Sequence, residues 1–303
     1  MTGLSKEILE KYQVRKSRKQ KRKFQELLKG FAEEKGYEMK IEKGSLGAEN
    51  IVFGNTETAK VIYTAHYDTC AVMPLPNFIT PKNQLFYWLY QFVLVFLIFA
   101  VAFAASSITT FLFEEQTGAV VSRVTVYLLL GLMMFGPANK HTANDNTSGV
   151  ITVLELMAEM PPESREKAAF VLFDFEETGL IGSASFQSKH KKQLNDKLIF
   201  NFDCVSDGKN ILLAVKKKAK DLVPTFEKAF QNDGNFTVHI LTKGIFYPSD
   251  QANFRLGVGV AALKKSKHGI LYMDKIHTKK DTVFEEENIE FLKNASLRLT
   301  ELI

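Results

Sequence analysis

Residues 168–183 read AAFVLFDFEETGLIGS, and this stretch decides how the chain folds. Its first six residues are apolar, as in a strand buried on both faces of a sheet, and a helix is expected over about 180–189. Between them stand the adjacent acids Glu176 and Glu177, which repel each other unless cations or a shared proton separate their roles. The stretch therefore predicts a strand, a turn that carries chemistry, and a helix. A solvated acidic turn is the alternative.

Strand-like and helical patterns also alternate along the rest of the chain, outside residues 83–136. Strands are predicted at 37–41, 50–53, 60–64, 198–202, 211–215, 236–241 and 258–263, and helices at 4–36, 148–160, 221–232 and 286–302. Alternation of this kind predicts an α/β fold in which helices cover both faces of a sheet. We expect residues 24–82 and 137–303 to form one domain, preceded by a basic segment at 1–23.

Residues 83–136 break this pattern. Residues 84–113 contain no charge, glycine or proline, and after a polar turn residues 119–136 are apolar except for Arg123. A membrane-spanning helix needs about 20 apolar residues, so the first segment is ample and the second is marginal. We therefore expect an inserted hairpin of two transmembrane helices that leaves and returns on the same side of the bilayer.

The flanks of this hairpin indicate its orientation. Residues 87–90 (YWLY) stand at one end of the first segment, where the aromatic belt of a membrane interface would place them. Lys82, Lys140 and the basic N terminus lie on one side, and the acidic pair at 114–115 lies on the other. By the positive-inside tendency, we expect a two-span protein of the cell membrane with a cytoplasmic catalytic domain. The alternative is a helical pair that forms a lid or a dimer contact.

Charge and cysteine content exclude several classes of protein. The net charge is +5, of which residues 1–23 carry +7, so the other 280 residues sum to −2. The basic run at 15–23 has no interleaved aromatic residues, so we expect no nucleic-acid partner. The run is either a solvated helix face or a contact with anionic lipid. Cys70 and Cys204 exclude a disulfide framework, and we expect both to be small core side chains.

Four further motifs at element ends offer side chains that bind metal ions. In the first, His66 and Asp68 are two residues apart and point to the same side of an extended chain. His66 can ligate a metal while Asp68 orients the imidazole or a nearby base. Each of the other three motifs contributes one donor: Asp145 in a polar loop that opens a helix, Asp203 at a strand end, and His277.

Together these motifs supply two histidines, three carboxylates and one further glutamate. This is the inventory that two zinc ions with one bridging carboxylate require. Each motif is weak by itself, since Asp145, for example, is more commonly explained as a helix N-cap. All of them lie at or just after predicted strand ends, where open α/β sheets bind their ligands.

At these positions the chain resembles the metallopeptidases of family 28, which include bacterial leucyl aminopeptidases. The resemblance spans about 24–82 and 137–303, and its motifs are His66-Tyr67-Asp68, Asp145-Asn146, Glu176-Glu177-Thr178-Gly179-Leu180-x-Gly182-Ser183, Asp203, Ser249-Asp250 and His277-Thr278-x-x-Asp281-Thr282. It implies a mixed central sheet, as in the zinc-exopeptidase, aminopeptidase-like fold. The chain departs from the family in the long gap between the first two motifs, filled by the hairpin, and at Gln251, where a histidine often stands.

The resemblance also implies a role for each site residue. The expected ligands of one zinc ion are His66, Asp145 and Asp203, and those of the other are Asp145, Glu177 and His277. Glu176 matches the general base of the family, and Asp68 matches the acid that supports a metal ligand. The candidate substrate-binding residues are Tyr247, Ser249 and Asp250. Tyr247 either donates to the oxyanion or has a packing role.

The sequence therefore predicts a membrane-anchored aminopeptidase that uses two zinc ions, with peptides and the lipid bilayer as its partners. Another chemistry on the same scaffold is an alternative, either carboxypeptidase cleavage or cyclisation of an N-terminal glutamine. A catalytically silent membrane protein that binds peptides is a second alternative. A transporter is disfavoured, because the two spans carry no acids and the chain has no internal repeats.

Overall fold

The computed structural model describes residues 1–231 and 234–303, and within them nine strands form one mixed sheet. The strands are β1 (Met39–Lys43), β2 (Glu49–Phe53), β3 (Val61–His66), β4 (Ala168–Phe173), β5 (Leu198–Phe202), β6 (Asn210–Val215), β7 (Thr237–Leu241), β8 (Leu256–Lys265) and β9 (Leu271–Tyr272). The helices are α1 (Gly3–Lys11), α2 (Arg18–Lys35), α3 (Gln84–Leu112), α4 (Glu115–Phe135), α5 (Gly149–Glu159), α6 (Ile181–Lys189), α7 (Val223–Ala229) and α8 (Glu286–Leu302). The strand order is β1-β2-β4-β3-β5-β8-β6-β7, and β9 pairs with β8.

The centre of the sheet is parallel and positions the site. β4, β3, β5 and β8 lie side by side in parallel, with Val61 opposite both Ala168 and Leu198. β2 and β6 flank this group in antiparallel orientation. The central strands are mostly apolar because both of their faces are covered. Their carboxyl ends therefore meet along one edge of the sheet.

Helices cover both faces of the sheet, as the sequence predicts. Neighbouring residues of β3 face opposite sides because strand side chains alternate. Tyr63 packs into the larger core, where its hydroxyl donates to the carbonyl of Ser296 in α8 at 2.8 Å. Ile62 faces the smaller core, together with Phe186 of α6. The predicted mixed sheet with helices on both faces is confirmed.

The N-terminal region differs from the single helix predicted over residues 4–36. It forms two helices, α1 and α2, separated by residues 12–17. A capping box starts the second helix, since the Ser17 hydroxyl accepts from the backbone N–H of Gln20 while the Gln20 side chain accepts from the backbone of Ser17. Gly36 adopts a left-handed conformation and ends α2 at the predicted position. The helical periodicity is correct, but the break within it was not predicted.

The basic run at 15–23 is partly buried in the domain. The Arg15 guanidinium is fully buried, and Lys21 pairs with Asp174 and lies 4.0 Å from the centroid of the Phe175 ring. Four other basic residues of the run are exposed: Arg18, Lys19, Arg22 and Lys23. The two roles predicted for the run, a solvated face or a lipid contact, therefore apply only to these exposed residues. The sequence boundary at residue 23 falls inside α2.

The other predicted elements are found with small shifts in their bounds. β4, β5 and α8 span the predicted residues, and α5 is one residue shorter at each end. The helix predicted at 221–232 is represented by the shorter α7, and the predicted end of that helix lies outside the described residues. The short strand β9 was not predicted.

α3 and α4 pack against each other as a helical hairpin. They approach closely at Gly118, where an added Cβ would lie 2.0 Å from Thr110 Oγ1. Small residues at such contacts let two helix backbones come together. At the base of the hairpin, Ala71 and Ala138 form an antiparallel bridge. The chain therefore enters and leaves the hairpin side by side.

Both hairpin helices are long enough and apolar enough to cross a membrane. At a rise of about 1.5 Å per residue, α3 and α4 extend about 43 and 32 Å, against a hydrocarbon thickness of about 30 Å. Only 6% of the most apolar window of each helix is buried. Within α3 and α4, the most exposed large aromatic side chains are Phe92, Phe96, Phe103, Phe111, Tyr127 and Phe135. A pair of helices buried in the core is thereby excluded.

Candidate metal centre and active site

The predicted metal-binding and catalytic side chains meet at the carboxyl edge of the sheet. Three adjacent parallel strands each deliver part of the set: β3 ends in His66, β4 leads to Glu176 and Glu177, and β5 leads to Asp203. Asp145 and His277 come from loops beside α5 and after β9. All six side chains line one cavity of about 140 Å³.

Asp145 lies between the two histidines. Its Oδ1 atom is 3.3 Å from Nε2 of His66, and its Oδ2 atom is 3.2 Å from Nε2 of His277. The other acids complete two groups, because Asp203 Oδ1 lies 3.6 Å from the first imidazole and Glu177 Oε2 lies 3.3 Å from the second. The two groups share only Asp145, which has one oxygen for each.

These distances fit two zinc ions that share Asp145. Two donors bound at about 2.0–2.1 Å to one tetrahedral zinc ion lie about 3.3 Å apart, close to the separations observed here. The Glu177 side chain is 7% exposed, and its Oε1 atom is buried without a hydrogen-bond partner. An unpaired buried oxygen requires an explanation, and a cation ligand is one. The carboxylate and imidazole donors present therefore fit the predicted cofactor, a pair of zinc ions.

Without cations the cavity concentrates negative charge. Burial, together with the charge of Asp145, raises the pKa of Glu177 to about 8. Burial and neighbouring acids also raise the pKa of Glu176 well above its ordinary value. Burial lowers the pKa of His277, but Glu177 and Asp145 outweigh it and bring that pKa to about 9. Cations in the cavity would relieve the repulsion among these carboxylates.

Asp68 positions both a histidine and the acidic pair. Its Oδ1 and Oδ2 atoms accept the backbone N–H groups of Glu176 at 3.0 Å and of Glu177 at 3.2 Å. Oδ1 also lies 3.5 Å from Nδ1 of His66. Burial raises the pKa of Asp68, but these partners outweigh burial and the net shift is downward. The ionised Asp68 carboxylate thereby joins the end of β3 to the end of β4, two of the three strands that carry site residues.

Asp281 holds the Asp145 loop in a similar way. Its two oxygens accept the backbone N–H groups of Asn144 and Asp145, each at 3.0 Å. Burial and the charge of Asp145 raise the pKa of Asp281 to about 7. Sequence reasoning quoted this residue within a motif but assigned it no role.

Arg15 is a supporting residue that sequence reasoning missed. Its Nε atom donates to the carbonyl of Tyr67 at 2.6 Å, and its Nη1 atom donates to Thr147 Oγ1 at 3.2 Å. It therefore binds the loop after β3 and the loop that carries Asp145. Burial lowers its pKa to about 10, although Asp68 and Asp145 oppose this shift. Its only sequence signal is membership of the basic run.

The three candidate substrate-binding residues occupy different environments. Tyr247 lines the cavity, and its hydroxyl donates to the carbonyl of Asp203 at 2.9 Å, so its proton already has an acceptor. Ser249 and Asp250 are fully buried and are not among the residues that line the cavity. Gln251, which replaces the family's frequent histidine, is also buried and donates to the carbonyl of Tyr247 at 2.7 Å.

The sheet with a donor cluster at its carboxyl edge is the arrangement of an aminopeptidase-like fold. The profile of Peptidase family M28 matches residues 125–300, and the chain belongs to this family, which makes it a hydrolase of the metallopeptidase class. A search of curated protein sequences gave no match.

Solved structures show the same fold at low sequence identity. A Legionella pneumophila LapA aminopeptidase superposes with a TM-score of 0.57 at 12% identity, covering 99% of this chain and 69% of that chain. A Porphyromonas gingivalis glutaminyl cyclase superposes with a TM-score of 0.57 at 13% identity, covering 98% of this chain and 95% of that chain. A Macrostomum lignano glutaminyl cyclase superposes with a TM-score of 0.54 at 12% identity, covering 100% of this chain and 88% of that chain. Aminopeptidases and glutaminyl cyclases therefore share this scaffold.

Proposed function

We propose that this chain is a membrane-anchored aminopeptidase that uses two zinc ions to release N-terminal residues from peptides. The observation that carries the proposal is Asp145, whose two oxygens face His66 at 3.3 Å and His277 at 3.2 Å. One carboxylate with an imidazole on each side suits a bridging ligand between two ions. The proposed ligands are His66, Asp145 and Asp203 for one ion, and Asp145, Glu177 and His277 for the other.

Glu176 is the proposed general base. When bound, two zinc ions would polarise the scissile carbonyl and acidify the attacking water. Glu176 lines the cavity, and Asp68 fixes its backbone N–H at 3.0 Å, so its carboxylate is held beside the ligands. It takes a proton from the attacking water and later delivers a proton to the leaving amine. Asp68 acts by positioning and not by proton transfer.

The lining of the cavity favours a peptide's N terminus over its C terminus. Among the described residues that line it, four are acids and none is lysine or arginine. A C-terminal carboxylate would therefore find no lysine or arginine side chain to bind there, while the four acids are already assigned as metal ligands or as the base. The volume of about 140 Å³ is also small for a ligand pocket, which suits a chain end. These features support an aminopeptidase over a carboxypeptidase.

The hairpin is the proposed anchor. The proposal keeps the predicted division into a catalytic domain of residues 24–82 and 137–303 and an insertion of residues 83–136, with the catalytic domain in the cytoplasm. The Ala71–Ala138 bridge closes the base of the hairpin only five residues after His66. The active site would therefore lie close to the membrane surface, where peptides that partition to the membrane are concentrated.

Peptide assays on the zinc-loaded full chain in detergent test this proposal. The set comprises a peptide with a free N terminus, its N-acetylated copy, and a peptide that begins with glutamine. We expect residues to be released from the first, the second to resist, and the third to be hydrolysed without cyclisation. Equal cleavage of the acetylated copy would exclude an aminopeptidase. Loss of ammonia from the third peptide without hydrolysis would indicate a cyclase, and no turnover of any peptide would indicate a silent binding protein.

A further inference from the structure

Cys70 lies within the proposed metal centre. Its side chain is only 1% exposed, and the sequence predicts a small core residue at this position. In the structure, however, its Sγ atom and donor atoms of Asp145, Glu177 and His277 all lie within 4.8 Å of one another. Those three partners are the proposed ligands of one zinc ion. The thiol thus shares a donor group with them, which was not expected from sequence.

The backbone around Cys70 is tied to the backbone around His277. The carbonyl of Cys70 accepts the N–H of Asn139 at 3.0 Å, and the Asn139 side chain donates to the carbonyl of Thr278 at 2.9 Å. The N–H of Met73 donates to the carbonyl of His277 at 2.7 Å. The backbones of Cys70 and His277 are therefore held close to each other by hydrogen bonds.

A second observation points to a ligand at the same place. Glu177 belongs to the same cluster, and its Oε1 atom is buried and has no hydrogen-bond partner. Asp145, Glu177 and His277 supply three donors, and a tetrahedral zinc ion takes four. We propose that the Cys70 thiolate is the fourth protein ligand of the metal position formed by Asp145, Glu177 and His277. This inference rests on the proposed metal centre and does not depend on the peptide specificity.

A thiolate ligand would make the two metal positions differ in metal preference and in the number of protein ligands. When the sulfur–metal bond forms, the thiol proton leaves to solvent, so the ligand is a thiolate. A soft thiolate favours zinc or cobalt over magnesium or manganese. Four protein ligands close a zinc site, whereas catalytic zinc sites keep one position open. The position near His66 and Asp203 would then be the open one that can take the water, and the ion at the Cys70 position would act on the carbonyl and the water through its charge.

Cys204 provides a matched control. It is also buried, and its Sγ atom lies 3.1 Å from Oδ1 of Asp203, beside the other metal position. Among the described residues, however, the donor groups able to hold a metal include Cys70 and not Cys204. Removing the Cys204 thiol therefore tests for nonspecific effects of losing a buried sulfur near the centre.

Cobalt substitution of the full chain in detergent tests the inference without reference to activity. We expect the cobalt-loaded wild type and Cys204→Ser to show a near-ultraviolet thiolate-to-cobalt charge-transfer band, and Cys70→Ser to lose it. The visible cobalt bands and the count of bound ions establish that Cys70→Ser still folds and binds metal. A cobalt-loaded wild type without the band, or Cys70→Ser with it, would overturn the inference.

X-ray absorption of the zinc-loaded protein gives a second measurement. A sulfur neighbour at about 2.3 Å is expected in the wild type and in Cys204→Ser, and is expected to be absent in Cys70→Ser. A zinc-loaded wild type with only nitrogen and oxygen neighbours would contradict the inference. A wild type that shows the sulfur neighbour yet releases no N-terminal residue would contradict the proposed aminopeptidase function alone. The two failures are thus distinguishable.

Discussion

The indole ring of Trp88 lies 5.8 Å from the ring of Phe246, measured between centroids, and so joins the first hydrophobic helix to the catalytic domain. Tyr87 packs on the same Phe246 ring at 5.3 Å. Phe246 directly precedes Tyr247 and Pro248, which both line the cavity. The aromatic residues predicted for a membrane interface thus contact the loop that shapes the candidate active site.

Loss of this contact should weaken substrate binding more than turnover. An aromatic pair contributes about 0.5–1.5 kcal/mol, and if substrate binding loses the energy of one such pair, Phe246→Ala should raise KM by roughly 2- to 10-fold while kcat changes little. Phe246→Leu, which keeps apolar bulk in the loop, is the control and should give an intermediate KM. Steady-state kinetics on a peptide with a free N terminus make the measurement. An unchanged KM in the alanine variant would show that the hairpin does not order the loop.

Glu176→Gln should abolish most turnover and leave metal binding intact. Loss of a general base typically lowers the rate by about 10²–10⁴. Glu176 is not among the proposed ligands, so zinc content should stay near two ions per chain. Glu155→Gln is a matched control, because Glu155 is a buried glutamate that accepts from Thr2 and Ser5, away from the cavity lining. If Glu176→Gln keeps activity near that of the wild type, Glu176 is not the general base.

The predictable parts of the fold are those with strong local patterns. β4 was predicted to the residue because Ala168–Phe173 is an uninterrupted apolar run bounded by charges. α8 was likewise predicted at Glu286–Leu302 from its helical periodicity. The break between α1 and α2 was missed because its cause is distant in sequence. Arg15 turns inward there to reach Tyr67 and Thr147, and no local pattern encodes these contacts.

The candidate site shows the same division. His66, Asp145 and Asp203 are candidates from sequence because each lies at or near an element end, where strand topology brings motifs together. The sequence assigns Asp281 and Cys70 no such role, since the roles proposed for them rest on a backbone contact and on a spatial cluster. Sequence spacing places residues on elements, but it does not give the distance between two loops.

The metal-free protein should become less stable as pH rises from about 5 to about 9. The folded-state pKa is about 8 for Glu177 and about 7 for Asp250 and Asp281, all above the unfolded values, and is about 9 for His277. Between its unfolded and folded pKa, each group binds more protons in the folded state, so unfolding free energy falls with pH. The shift in Tm on adding zinc should therefore grow over this range, because bound cations replace the lost protons. A Tm of the metal-free protein that rises with pH would contradict these assignments.

Membrane fractionation tests the hairpin as an anchor. If α3 and α4 span the bilayer, the protein should stay in the membrane pellet after a high-salt wash and after an alkaline wash. Neutralising the four exposed basic residues of the N-terminal run should leave it there, because surface charges contribute only about 1 kcal/mol each near anionic lipid. The residues to replace with alanine are Arg18, Lys19, Arg22 and Lys23.

Deleting the hairpin completes this test. The Ala71–Ala138 bridge holds the two ends of the insertion side by side, so replacing residues 84–136 with a short Gly/Ser linker should preserve the sheet and release the protein into the soluble fraction. The shortened chain should be soluble because the deletion removes the exposed apolar surface of α3 and α4. Circular dichroism checks that the shortened chain is folded. If salt alone releases the intact protein, the hairpin is not a spanning anchor, and a lid or a dimer contact would then account for its apolar faces.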